Sequence, residues 1–190
     1  MLEVKKSLAQ RVALMGVLSA ISIVLVALIR IPIFAGAPYL LYDMADIPIL
    51  FGAFLLGAGG GLEILVVVSA IQAIFLSPDG FVGFVMHVCA SGVLVIVATV
   101  IYRYFGKNVK SMVIGLICGS LAMTIMMIPL NYLITSWYLG VPRQAVTEAL
   151  LPFIIPFNLI KAGLNSAITF VLYGAISFAF AKNSQPLKQE

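Results

Sequence analysis

The sequence predicts an all-α integral membrane protein of six transmembrane helices with both termini in the cytoplasm, and four observations carry that reading. Hydrophobic residues make up 63% of the chain and charged residues only 9%, against roughly 45–50% and about 25% in soluble domains. Apolar runs near the ~20 residues that a helix needs to cross the hydrocarbon core recur along the chain. The 190 residues leave almost nothing over for a soluble domain. Lysine and arginine gather on alternate connections, as they do on the cytoplasmic side of membrane proteins.

The spans fall at about 8–29, 47–60, 61–77, 83–105, 111–136 and 153–181, forming one transmembrane domain over 1–182 with a cytoplasmic tail at 183–190. The first run is too long for a cleaved signal peptide and lacks a small-residue cleavage site, so it reads as a retained span. The second and third are short, and Gly57, Gly59, Gly60 and Gly61 supply the freedom for a tight hinge between them. Glu63 stands at the inner start of the third, where the helix dipole favours an acid or a cytoplasmic partner meets it. With both ends inside, the inner face carries Lys5, Lys6, Arg11, Arg103, Lys107, Lys110, Lys182 and Lys188. The outer face carries Arg30 and Arg143, with Asp43, Asp46, Asp79 and Glu148 as outer-loop acids. The net charge of +4 is therefore a topology signal and not a nucleic-acid footprint.

Several function classes are excluded. Cys89 and Cys118 sit in apolar runs without a CxxC spacing, and one histidine cannot complete a zinc site. No GxxxxGK[ST] phosphate loop is present, and GAGGG lacks the spacing of a nucleotide fingerprint. No catalytic constellation and no acidic pair of an ion-coupled carrier is found. A high-affinity pocket without an energy source of its own suggests a subunit that borrows one from a partner.

Polar side chains inside a span are costly and mark functional candidates. Asn158, Lys161 and Asn165 follow the i, i+3, i+7 spacing that shares one helix face. Asn131 follows Pro129 near the outer end of the fifth span, and Pro152 and Pro156 disturb the start of the sixth. These groups predict a pocket open to the outside. Two plainer roles stay open: snorkelling of Lys161 to the interface and asparagines bridging helices. Residues 31–48 form a long apolar loop, whose Phe34, Tyr39, Leu40, Leu41 and Tyr42 suit either a lid over an aromatic ligand or an interfacial aromatic belt. Asp79 and Gly80 in the SPDG turn, with His87, face the same mouth. On the first helix, Ala9-x-x-x-Ala13 and Gly16-x-x-x-Ala20 are small-residue spacings that let another helix approach closely.

The chain resembles the substrate-binding S components of energy-coupling factor (ECF) vitamin transporters, and most closely their riboflavin-specific members. The resemblance runs through ALMGVLSA, YDMADIPILFGAFLLG, MHVCASG, MIPLNYLIT, GVPRQAV and LLPFIIPFNLIKAGLNS. It implies a six-helix fold in a bacterial cell membrane, a pocket closed by the first loop, and riboflavin held in the outer half as transported ligand, with no cofactor. It implies as partners a T component and two ABC-type ATPases, whose ATP hydrolysis topples the subunit. Asn131, Lys161 and Asn165 become hydrogen-bonding groups for the flavin or its ribityl chain, with Asp79 and Gly80 beside them. The rival readings are an S component for another vitamin such as thiamine, a small membrane enzyme, and a self-sufficient carrier.

Overall fold

Ser7 starts the first helix with a reciprocal cap, its hydroxyl accepting from the Gln10 backbone while the Gln10 side chain accepts from its own N–H. Helix α1 (Leu8–Leu28) follows and ends where a short antiparallel hairpin begins, β1 (Arg30–Pro32) paired with β2 (Leu41–Asp43) so that Arg30 faces Asp43. Seven further α-helical stretches complete the described fold: α2 (Asp46–Leu56), α3 (Ala58–Ile71), α4 (Gly80–Tyr104), α5 (Val109–Leu130), α6 (Ser136–Leu139) and α7 (Arg143–Ala149) lead to α8 (Ile155–Asn183). The computed structural model describes residues 7–183. Lys5, Lys6, Lys188 and all but the first residue of the expected tail lie outside the described residues.

Among the described residues, five helical segments are long and apolar enough to cross a membrane: Leu8–Leu28, Ala58–Leu76, Gly80–Tyr104, Val109–Leu139 and Arg143–Ile176. The segment expected at 47–60 is instead an eleven-residue helix, α2, about 16 Å long at 1.5 Å per residue. Its burial explains its apolar composition, since eight of its residues are shielded from solvent. It packs against α1, α3, α4 and α8, so its apolar residues face protein all round. The hinge after it is Gly57 alone, at φ +92°, a conformation open to glycine. Gly59, Gly60 and Gly61 lie inside α3, and Glu63 is exposed one turn further on, past the helix end where the dipole would act on it.

By contrast α1 buries only Leu18, Ser19, Ser22 and Val26. Leu14, Met15 and Ile23 are half-buried against the core, whereas Val12, Val17, Ile21 and Val24 are exposed, an outer surface that suits lipid or another helix and not water. Helices α4 and α5 form the most extensive pair, and α5 continues onto α8.

Among the described residues, three segments depart from α-helical winding, each by one π-turn: Gln72–Leu76 after α3, Asn131–Thr135 after α5 and Leu150–Ile154 before α8. Pro129 precedes the second and Pro152 lies in the third, where a missing N–H frees a carbonyl from the regular ladder. The first has no proline; it closes with the Ser77 N–H donating to the Gln72 carbonyl at 2.8 Å. All three lie toward the end of the bundle that carries the hairpin.

Candidate functional site

Those π-turns border a cavity of about 960 Å³, including its open mouth. One wall comes from α3, the first π-turn and α4, with Ser69, Gln72, Phe84, Met86 and His87. The facing wall comes from α5, the second π-turn and α8, with Met127, Asn131, Phe157, Asn158 and Lys161. Tyr39, Leu40 and Leu41 of the hairpin cover it, and Arg30, Ser77, Asp79 and Tyr138 stand at the mouth. Apolar walls with few placed polar groups are what small-molecule sites require.

A buried polar network forms one side of the cavity and ties five elements together. Lys161 Nζ donates to Asp43 Oδ2 at 2.8 Å, and both side chains are buried. Asn165 Nδ2 donates to the Asp43 carbonyl at 3.1 Å and to Asp46 Oδ2 at 3.4 Å, while its Oδ1 accepts from the Tyr42 hydroxyl at 3.1 Å. Asp46 Oδ1 lies 3.4 Å from His87 Nε2, whose Nδ1 is 3.1 Å from Ser69 Oγ. Buried charges persist only when paired and hydrogen-bonded, and here every charge has a named partner. Burial, reinforced by the charge of Asp43, raises the pKa of the Tyr42 phenol above its ordinary value and keeps it a hydrogen-bond donor.

The expected site residues separate into two groups. Asn131, Asn158, Lys161, Leu40, Leu41, Asp79 and His87 line the cavity; Tyr42, Asn165 and Gly80 do not. Tyr42 and Asn165 are turned toward each other, and Tyr42 packs with Leu40, Val146, Ile154 and Phe157 in a second apolar cluster. Gly80 opens α4 at φ +49°. Asn131 Nδ2 donates to the Met127 carbonyl and Asn158 Nδ2 to the Ile154 carbonyl, so each amide also stitches the backbone of an irregular turn. The loop expected over 31–48 is the β-hairpin and the start of α2, with Phe34 set edge-on against Phe153 at 5.9 Å.

Asp43 and Asp46, read from sequence as outer-loop acids, are buried in the network. Arg30, read only as a surface charge, donates to the Leu76 carbonyl and to Ser77 Oγ and pairs with Asp79 at 3.5 Å. Gln72 was overlooked, although an amide within a span is itself a signal. Ala9, Ala13, Gly16 and Ala20 are all exposed along α1, far in sequence and in role from the cavity.

Comparison with known proteins adds four findings. Residues 10–173 match the family described as "ECF transporter, substrate-specific component". The chain is 31% identical over 170 residues to the riboflavin transporter RibU of Staphylococcus aureus, covering 86% of this chain and 88% of that one. It is 29% identical over 173 residues to the riboflavin transporter FmnP of Bacillus subtilis, covering 86% and 89%. A solved structure described as "Structure and mechanism of the S component of a bacterial ECF transporter" superposes with a TM-score of 0.81 at 29% identity, covering 92% of this chain and 99% of that one.

Proposed function

The chain belongs to the substrate-specific components of ECF transporters, and from that premise we infer that it is the riboflavin-binding S component of a vitamin importer. It is a cell-membrane transport protein and not an enzyme. The observation that carries the ligand is the cavity: apolar and aromatic side chains line it, with Lys161, Asn131 and Asn158 on one side and Gln72 and His87 on the other. Relatives named as riboflavin transporters along most of their length support the same ligand.

Orientation completes the reading. The hairpin end carries Arg30 and Arg143, and the opposite end Arg11, Arg103, Lys107 and Lys110, a bias that favours a cytoplasmic far end and a cavity opening outward. Six helices then build the membrane domain, five crossing it and α2 buried among them. Family membership implies a T component and ATPases as partners, and two ABC-type ATPase subunits supply the energy for inward delivery. The exposed Ala9, Ala13, Gly16 and Ala20 stripe on α1, with nothing within 4 Å of a Cβ built at Gly16, is the proposed docking face. Close helix approach needs such small side chains.

Protein purified from cells grown with riboflavin is expected to be yellow with near-equimolar flavin. A colourless preparation that binds no added riboflavin in a fluorescence titration removes the assignment; binding of thiamine in its place would reassign the vitamin. Ala13→Leu and Ala20→Leu are expected to impair co-purification with the T component and ATPases while leaving flavin binding intact. Full assembly of both variants would clear α1 of the docking role.

A further inference from the structure

Among the described residues, three buried side-chain polar atoms have no hydrogen-bond partner, Ser91 Oγ, Gln72 Oε1 and Arg30 Nε, all on residues that line the cavity, and the last two belong to side chains that meet one π-turn. The Gln72 backbone is fully used, its N–H donating to the Ser69 and Val68 carbonyls and its carbonyl accepting from Ser77. Only its side chain is left over, at the point where the chain leaves α-helical winding. The Arg30 guanidinium docks at the other end of that same π-turn, through the Leu76 carbonyl and Ser77 Oγ. Both residues line the cavity. A buried polar atom without a partner carries a desolvation penalty, which a ligand relieves by supplying the missing group.

The two unpartnered atoms at this π-turn are of opposite kind, since Gln72 Oε1 accepts and Arg30 Nε donates. A hydroxyl group can serve both roles, and a chain of hydroxyls can reach both atoms across one π-turn. The facing wall, with Met127 and Phe157 around the Lys161 donor, suits the flat ring better. We propose that Gln72, with Arg30 Nε one π-turn away, reads the polyhydroxyl chain of the flavin and so makes the site select flavins that carry it. This rests on the assignment of riboflavin as ligand.

The test compares riboflavin with lumiflavin, which has the same tricyclic ring and a methyl group in place of the polyol chain, in fluorescence titrations of the purified full chain. Gln72→Leu is expected to weaken riboflavin roughly tenfold, the scale of one lost buried hydrogen bond, and to change lumiflavin affinity by less than about twofold. Equal losses for both ligands, or unchanged riboflavin affinity, would overturn the proposal. Should the leucine variant bind neither flavin, Gln72→Glu decides, because a carboxylate still accepts a hydrogen bond. Riboflavin affinity recovered to within about threefold of the parent supports the proposal, and a loss as large as that of the leucine variant overturns it. Failure of the parent protein to bind riboflavin is a different result, and removes the ligand assignment itself.

Discussion

The same helices pack by different rules at the two ends of this bundle. At the end away from the hairpin, α4 and α5 meet almost backbone to backbone, and a side chain at Gly115 would run into the carbonyl of Ala98. Buried hydroxyls there return to their own helix, as with Thr99 to the Val95 carbonyl at 2.6 Å and Ser120 to the Leu116 carbonyl at 2.8 Å, and Ser120 also meets Ser166 Oγ of α8 at 3.1 Å. At the hairpin end three segments lose regular winding, and two carboxylates and a lysine are buried among them. Irregular backbone at membrane depth is tolerated where it is covered by protein or lines a cavity. The tight half holds the helices in place, and the open half uses the freed backbone and side chains to shape a site.

The largest effect should come from breaking the charge pair in the open half. Lys161→Met leaves Asp43 buried without its cation, a change that costs about 3–5 kcal/mol in buried pairs. The thermal midpoint in detergent should fall by roughly 10 °C, and flavin affinity should fall with it. Adding Asp43→Asn removes the orphaned charge, so the double variant should regain much of the stability while flavin affinity stays low. If the double variant is no more stable than Lys161→Met alone, the pair is not what holds the hairpin to α8.

A change of second rank belongs to the tight half. Gly115→Val forces two branches against a backbone carbonyl that cannot move aside, and overpacking of this kind costs about 1–3 kcal/mol. The expected outcome is a lower thermal midpoint with flavin affinity of the folded protein within about twofold of the parent, since overpacking there touches no cavity residue. A large loss of affinity would show that the two halves are not separable.

The same contrast governs how much was legible in the sequence. The long spans were, because apolar runs report solvent directly. The face carrying Asn158 and Lys161 was also legible, because helical spacing fixes which side chains lie together. Asn165 shared that spacing yet turned to Tyr42 and Asp43, partners more than 100 residues away that no local pattern reveals. Asp43 and Asp46 misled for the same reason: next to a loop they read as solvated acids, and only the fold shows them buried. Pro129, Pro152 and Pro156 gave notice of two irregular turns. The turn at Gln72 has no proline, and its amide was the one clue. The shortness of α2 was visible, but its central place, which explains why a helix of that length is so apolar, depended on the packing of its neighbours.

The smallest effect should come from the cavity mouth, where the open half meets water. Asp79 accepts from Ser77 Oγ at 3.1 Å and from the Tyr138 hydroxyl at 3.3 Å, and pairs with Arg30 at 3.5 Å. Its side chain is 31% exposed, against 4% for Asp43 in the buried pair. Water and salt screen such a pair, and exposed ion pairs contribute about 0.2–1 kcal/mol. Asp79→Asn keeps the shape and an acceptor oxygen while removing the charge. It should therefore weaken flavin binding by less than about fivefold, and raising the salt concentration should narrow the gap between variant and parent. Both Asp43 and Asp79 face a cation across a short distance, so the charge alone does not separate them; solvent does. If Asp79→Asn proved as damaging as Lys161→Met, burial would not be the variable that ranks these pairs, and the mouth would have to be counted with the buried network as part of the binding machinery.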